Sequence, residues 1–495
     1  MSSPAPVKAP HGEAGFGAGT GTAARIGLVL GPLLCIAILA APPPDGLSPN
    51  AWHTAAVGAL MAIWWITEAL PIPATALLPL VLLPALGIAN INAAAAPYAN
   101  PVIFLFLGGF LIAAALQRCG LHRRMALHII GFVGTAPRRL VGGFMLATAF
   151  ISMWVSNTAT VVMLLPMAAS VLELAEQSGR ERDPNLGIAL MLGLAYGASI
   201  GGVGTLIGTP PNALLAGFMD EAYQVRIGFG QWMLIGVPLV AIALPITWLL
   251  LVRVLYPISG GSEAEGREMV RSELEKLGPP SREEYMVGGI TALTAAAWIF
   301  SPLLDDIIPG ISDAGIAIAG AALLFTIPAG WRGERKVLLN WSDAQRLPWG
   351  VLVLFGGGLS LASAIESTGL ARWIGEALSG ASAWPTIVLI GTVTAVVVFL
   401  TEITSNTATA AAFLPVAASL AIGVGHHPLV LTVPVAIAAS CAFMMPVATP
   451  PNAIVYGTGR LSISQMVRAG FFLNLVLIAL ITVLAVTLVP RVWGS

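Results

Sequence analysis

Two uncharged tripeptides carry the chemistry that this chain can do. Ser156-Asn157-Thr158 and Ser405-Asn406-Thr407 each interrupt a long apolar run. Polar groups survive in such a run only where they line a cavity or are buried in protein. Hydroxyls and amides donate to an anion without adding charge, and their oxygens suit an alkali cation. A half-helix that starts at the break adds free N–H groups and a partial positive charge. One that ends there adds free carbonyls, so the same motif can serve an anion and a cation. Gly208-Thr209-Pro210-Pro211-Asn212 and Ala448-Thr449-Pro450-Pro451-Asn452 break two further apolar runs, because proline donates no N–H. A lone Ser-Asn-Thr is usually a helix cap, and a lone Pro-Pro-Asn is a proline break. Matched pairs of both read as a site.

The pairing is an internal repeat. The two Ser-Asn-Thr motifs stand 249 residues apart, within the longer identity Ser156-Asn157-Thr158-Ala159-Thr160 and Ser405-Asn406-Thr407-Ala408-Thr409. At the same offset, Leu105-Phe106-Leu107-Gly108-Gly109 leading to Gly120-Leu121 matches Leu354-Phe355-Gly356-Gly357-Gly358 leading to Gly369-Leu370. The Pro-Pro-Asn motifs recur at offset 240, the intervening loop being shorter in the second copy.

The elements that position these motifs must cross a membrane. Of 495 residues, 57% are hydrophobic and 9% charged, and mean hydropathy is +0.87. A soluble domain carries roughly 25% charged residues, so a cytosolic enzyme, a nucleic-acid binder and a disordered chain are excluded. The 54 glycines and 36 prolines exclude a simple bundle of unbroken helices. Net charge is −1, and the cysteines (Cys35, Cys119, Cys441) have no metal-site or disulfide spacing.

Residues 1–24 read as a disordered tail, and 25–50 as an uncleaved first span and its loop. Further spans are expected at about 51–70, 71–88, 101–117, 186–218, 230–255, 284–303, 313–328, 348–366, 429–457 and 466–490, making eleven with the first. The stretches 140–172 and 384–420 are too long for one crossing and are broken at Ser-Asn-Thr. Each is two extra spans or a re-entrant hairpin, with the same parity downstream. Repeat 1 covers 51–256, with hairpin 140–172 and broken helix 186–218; repeat 2 covers 284–490, with hairpin 384–420 and broken helix 429–457. A charged, helical cytoplasmic linker, 257–283, joins them, and 491–495 is a C-terminal tail. With the N-terminus in the cytoplasm, 20 of the 23 basic residues fall inside; Arg226, Arg372 and Arg491 fall outside. Five spans per copy is an odd number, so the second copy inserts upside down. The expected fold is all-α and polytopic: about 11 transmembrane helices and two re-entrant hairpins in two inverted repeats, with discontinuous helices at the midplane. That arrangement is the signature of a secondary transporter.

No lysine lies in an apolar core, and the arginines cluster at span ends. An anion's charge must then be met by helix dipoles, neutral donors and co-bound cations. For a dianion, two or more Na⁺ avoid a net negative site in low dielectric. Glu402 is expected to hydrogen-bond near the cavity in preference to carrying a coupled proton, and Glu68 to help a turn at the cytoplasmic interface. No nucleophile, metal cluster or His/Asp pairing marks an enzyme, and an ion channel is a remote alternative.

At these residues the chain resembles the divalent anion:sodium symporter family, the dicarboxylate, citrate and sulfate carriers of the ion transporter superfamily. The resemblance rests on both Ser-Asn-Thr motifs, both Pro-Pro-Asn motifs and Thr401-Glu402-Ile403-Thr404, and it covers nearly everything after residue 25. It implies a homodimer whose protomers have a scaffold domain and a transport domain moving as an elevator. It also implies a first Na⁺ site at Ser152, Ser156, Asn157 and the Gly208 carbonyl, and a second at Thr401, Thr404, Asn406 and the Ala448 carbonyl. Substrate carboxylates would meet Ser156, Asn157, Thr158, Ser405, Asn406 and Thr407, with Thr209 and Thr449 nearby. The implied activity is Na⁺-coupled uptake of a C4-dicarboxylate (succinate, malate or fumarate) across a bacterial inner membrane, with no organic cofactor and no nucleic-acid partner. A Na⁺-independent dicarboxylate exchanger and a sulfate or citrate carrier are the alternatives.

Overall fold

A computed structural model of the protein describes residues 21–177, 184–258, 263–329, 337–377, 380 and 383–494. Most of the expected N-terminal tail, with Lys8, and the loop residues Arg180, Arg182, Arg332, Arg335 and Lys336 lie outside the described residues.

Capping and close helix approach shape the entry to the first copy. Helix α1 (Thr22–Ala40) crosses α2 (Pro49–Thr67), which Ser48 caps by accepting from Ala51 N. The crossing is tight because Gly31 of α1 lies where a Cβ would sit 2.7 Å from Trp64 Nε1. Beyond α2 the expected span 71–88 is not one helix. Pro71, Pro73 and Pro79 stand at the starts of α3 (Ile72–Thr75) and α4 (Pro79–Ala85), and Pro84 lies within the second. Glu68 ends α2 in the left-handed region (φ 50°) as its C-cap, so it does form the turn expected of it.

After α5 (Ile91–Ala95), α6 (Pro101–Cys119) turns through left-handed Gly120 (φ 77°) into α7 (Leu121–Val133). The hairpin follows as α8 (Pro137–Ser152) and α9 (Asn157–Gln177), then the broken helix as α10 (Pro184–Gly202) and α11 (Pro210–Tyr223), then α12 (Phe229–Leu249). The linker is helical, as α13 (Glu263–Leu277), and leads through α14 (Arg282–Ile299) and α15 (Ser301–Asp305) to α16 (Asp313–Thr326) and α17 (Trp341–Ala344).

The second copy repeats the order. Helix α18 (Trp349–Ser367) turns through Gly369 (φ 79°) into α19 (Leu370–Ala377), the counterpart of the Gly120 turn. The second hairpin is α20 (Thr386–Thr401) and α21 (Asn406–Gly423). The second broken helix is α22 (Leu429–Ala439) and α23 (Pro450–Tyr456), and α24 (Ile463–Trp493) closes the chain. Helices α12 and α24 start alike: Gln231 reaches back to Gly228 N (3.1 Å) and Gln465 to Ser462 N (2.8 Å).

Each long broken stretch folds as two helices joined by a short turn at Ser-Asn-Thr. Helix α10 runs beside α8 in the same sense, Gly193 and Gly197 against Met145 and Gly201 against Ala149. It runs against α9 in the opposite sense, Gly187 near Leu172 and Gly202 near Asn157. Arms α8 and α9 are therefore antiparallel. In the second hairpin, Thr386 Oγ1 meets His426 Nε2 at the open end (2.9 Å), and Thr401 meets Asn406 at the tip (2.8 Å).

The broken helices occupy the centre. Every residue of Ile188–Gly202 and of Leu429–Ala439 is buried, as expected of helices apolar all round. The glycines of α10 at 193, 197 and 201 form one small-residue stripe that lets α8 approach closely. A Cβ on Gly201 would fall on the Ala149 carbonyl. The copies interlock: α9 packs on α23, and α11 on α21.

Among the described residues the chain is helical, with one isolated β-bridge between Pro328 and Val337. Seven of its helical stretches are long and apolar enough to cross a bilayer. The other expected spans are shorter or carry more polar residues, since proline and the central breaks divide them.

The linker helix is pinned to α7. Arg124 gives Nε to Glu284 Oε1 (2.8 Å) and Nη1 to Gly278 O (3.0 Å). Glu273 pairs with Lys276 and Arg123. The Lys276 hydrogen bond, with help from Arg123, holds the Glu273 carboxyl below the usual range against the upward push of burial.

Candidate functional site

Each hairpin tip is a short non-helical turn that ends one helix on a hydroxyl residue and begins the next on asparagine. In the first tip, Ser152 Oγ donates to Asn157 Oδ1 (2.5 Å). In the second, Thr401 Oγ1 lies 2.8 Å from Asn406 Oδ1 and 2.9 Å from Ala439 O, its one hydrogen shared between the two acceptors. The two pairs correspond at the repeat offset of 249. Ser152 and Thr401 are fully buried, whereas Ser156 is exposed and Asn157, Thr158, Ser405, Asn406 and Thr407 are half-buried. Each tip therefore sets accessible neutral donors above a buried layer of oxygens.

The first break brings its carbonyls to the first tip. A Cβ on Gly202 would stand 2.7 Å from Asn157 Oδ1 and 3.0 Å from Gly208 O. Only glycine leaves that space, which Asn157 and the Gly208 carbonyl approach from two sides. Ser156 accepts from Ala159 N at 3.4 Å, as a cap. Thr205 ties the break to the hairpin by donating to Met153 O (2.5 Å).

The Thr404 hydroxyl turns back onto its helix, to Leu400 O (2.9 Å) and Thr409 Oγ1 (2.6 Å). The carbonyl that meets Thr401 is Ala439, at the start of the break; Ala448 lies at its far end, its N–H on Met445 O (3.2 Å). Thr209 and Thr449 also differ from each other. Thr449 caps α23 by accepting from Asn452 N (3.2 Å), whereas Thr209 meets Ser440 Oγ (3.2 Å) and so joins the two breaks.

Glu402 proves to be the acceptor for the second break. Oε1 receives Phe443 N (2.7 Å) and Asn474 Nδ2 (2.7 Å), and Oε2 receives Met444 N (2.9 Å) and Met445 N (3.2 Å). Only 3% of the residue is exposed. Four donors without a basic partner make this the structural hydrogen-bonding role expected of it. At the corresponding place in copy one stands Met153, whose backbone carbonyl accepts from Thr205. Asn474 and Ser440 escaped notice in the sequence, although a single asparagine within the apolar run 466–490 was a usable signal. Tyr196 of α10 completes the cage by donating to Phe443 O (2.9 Å), across the copies.

The arrangement offers neutral donors, oriented carbonyls and half-helix ends, with the Glu402 oxygens already taken by hydrogen bonds. A family profile described as the sodium:sulfate symporter transmembrane region matches residues 23–493. The chain is 43% identical over 477 residues to the sodium-dependent dicarboxylate transporter SdcS of Staphylococcus saprophyticus, covering 95% of this chain and 92% of that one. Identity to SdcS of Staphylococcus aureus strain USA300 is 42% over the same length and shares. Among solved structures, its fold is similar to the YdaH transporter of Alcanivorax borkumensis (TM-score 0.55, 16% identity, 94% of this chain and 96% of that one). It is also similar to MtrF of Neisseria gonorrhoeae (TM-score 0.59, 16% identity, 96% and 97%). By sequence across almost its whole length, the chain belongs to the sodium:sulfate symporter family and is a multi-pass membrane transporter, not an enzyme.

Proposed function

We propose that this protein is a secondary active transporter that carries C4-dicarboxylates, such as succinate, malate or fumarate, by Na⁺ symport. The observation that carries the reading is the pair of buried hydroxyl–asparagine contacts, Ser152 with Asn157 and Thr401 with Asn406, at corresponding places in two copies. Each cluster gathers uncharged oxygens of the kind a hard cation prefers. Ser152, Ser156, Asn157 and the Gly208 carbonyl hold one Na⁺. Thr401, Thr404, Asn406 and the Ala448 carbonyl hold the other, with the Ala439 carbonyl adjoining. Two cations neutralise a dianion before it crosses the low-dielectric interior.

The carboxylates meet Ser156, Asn157 and Thr158 at one tip and Ser405, Asn406 and Thr407 at the other, with Thr209 and Thr449 behind them. Two separated donor clusters fit two separated carboxylates better than one compact oxyanion, and the SdcS relatives are named for dicarboxylates. The family's own description names sulfate, which makes sulfate the second reading.

The surrounding architecture follows the resemblance: eleven spans and two re-entrant hairpins in inverted repeats, a homodimer, an elevator movement of the hairpins and broken helices, and a bacterial inner membrane with the N-terminus in the cytoplasm. Uptake of labelled succinate into proteoliposomes, with and without an inward Na⁺ gradient, tests the function. Gradient-driven accumulation is expected. Counterflow without any Na⁺ dependence would make the protein an exchanger, and transport of sulfate but not succinate would replace the substrate.

A further inference from the structure

Asn212 and Asn452, the last residues of the two Pro-Pro-Asn motifs, do the same thing in both copies. Asn212 Nδ2 donates to Gly202 O (3.3 Å), Val203 O (3.3 Å) and Thr205 O (2.8 Å). Asn452 Nδ2 donates to Ala442 O (3.2 Å) and Met445 O (3.0 Å). Ala442 and Met445 correspond to Gly202 and Thr205 at the repeat offset of 240. Both side chains are fully buried, and in both the amide oxygen Oδ1 accepts no hydrogen bond.

That free oxygen fixes the amide orientation. Reversing either amide would set Oδ1 against backbone carbonyls, acceptor against acceptor, so the NH₂ group must face the break. A buried oxygen left without a donor is unfavourable, and an apolar side chain of the same size would avoid it. The donors therefore account for an asparagine at both places.

What the donors hold adjoins the cation clusters. Gly202, whose carbonyl Asn212 grips, is the residue whose missing Cβ makes room for Asn157 Oδ1 and the Gly208 carbonyl. In the second copy Asn452 grips the two ends of Ala442–Met445, the segment whose N–H groups Glu402 receives. Glu402 directly follows Thr401, the hydroxyl paired with Asn406. Neither asparagine side chain hydrogen-bonds the residues assigned to Na⁺.

We propose that Asn212 and Asn452 are positioning residues, each setting the Na⁺ affinity of its own cluster by holding the carbonyls of the adjacent break. The inference rests on the Na⁺ coupling proposed above and adds residues to it.

Two substitutions at each position test it, because they separate volume from hydrogen bonding. Asn212→Leu and Asn452→Leu keep the branched outline, fill the site and lose the donor; Asn212→Ser and Asn452→Ser lose volume and keep one donor. Proteoliposome uptake is measured against Na⁺ concentration at saturating succinate, and against succinate at saturating Na⁺. Each leucine variant is expected to raise the Na⁺ half-saturation about 10-fold, the scale on which loss of a ligand's outer partner weakens ion binding. The succinate half-saturation should stay at the wild-type value. Serine, reaching fewer carbonyls, should give a smaller rise in the same direction.

Leucine variants with wild-type Na⁺ half-saturation, or serine variants shifted further than leucine, would overturn the inference, since packing then governs. If the leucine variants fail to fold, serine variants with an unshifted half-saturation overturn it equally. A wild-type protein without Na⁺ dependence would overturn the coupling itself and this inference with it. A Na⁺-dependent wild type with unshifted variants would overturn the inference alone.

Discussion

Asn157 and Asn406 each accept a buried hydroxyl and still offer an amide at a half-buried tip, so one side chain serves both layers of the proposed site. Asn157→Ala and Asn406→Ala should each reduce Na⁺-driven uptake to background while the detergent-extracted protein keeps its elution volume; normal uptake in either would refute the assignment. Glu402 makes a different prediction, of stability. Glu402→Ala strips the acceptor from three backbone N–H groups and from Asn474. Each buried donor left unpaired costs about 1–3 kcal/mol, so the thermal midpoint should fall steeply. Glu402→Gln, which retains one good acceptor, should fall less, and equal midpoints for the two would contradict the cage. At this scale the sequence revealed the asparagines through the repeat. It could not reveal the partners of Glu402, because Phe443 and Asn474 come to it from 41 and 72 residues away through tertiary packing. Nor could it reveal that the Thr404 hydroxyl meets Thr409 or that the Ala439 carbonyl meets Thr401, contacts set by the local turn and by tertiary packing.

Among elements, the stripe of glycines on α10 is what allows the first hairpin to lie against the first broken helix. Gly201→Ala would drive a Cβ onto the Ala149 carbonyl, backbone against backbone, and α8 would have to withdraw. Overpacking of this kind costs about 1–3 kcal/mol, and the displacement would also spread the Asn157–Gly208 cluster next to it. Lower thermal stability and weaker uptake are both expected. Gly289→Ala in α14, where nothing lies within 4 Å of the new Cβ, is the matched control. A helix interior gains roughly 0.5–1 kcal/mol from that exchange, so it should not destabilise. Breaks were the legible part of the elements: Ser-Asn-Thr and Pro-Pro marked all four. The apolar content of 71–88 suggests one span, but its prolines start two short helices in its place. The turn that divides each broken stretch was marked in the sequence, whereas the packing of its two arms on the broken helices was not, since neither parity nor hydropathy carries it.

For the whole molecule, the proposed orientation puts the exposed face of α13 in the cytoplasm and the loop at Arg226 outside. Single cysteines introduced by Glu268→Cys and Arg226→Cys, in a background with Cys35, Cys119 and Cys441 replaced by serine, test it. A membrane-impermeant maleimide should label the cysteine at 226 in intact cells and that at 268 only in inverted vesicles; the reverse pattern would turn the molecule over. The duplication was plain from sequence, but the interlocking of its halves was not. The crossing of α9 onto α23 and of α11 onto α21 depends on contacts between copies, to which no periodicity within either copy is sensitive.

That interlock sets a timetable for synthesis. Thr209 and its partner Ser440 are 231 residues apart, and at about 5–20 residues per second roughly 10–50 s separate their appearance from the ribosome. The first break can wait, because Asn212, Thr205 and Trp232 of its own half already satisfy its carbonyls and pin it to the hairpin. The second break arrives to find Tyr196 in place for Phe443. The earlier half thus behaves as a self-sealed template on which the later half closes, and late-arriving damage near Phe443 should be the more lethal to assembly.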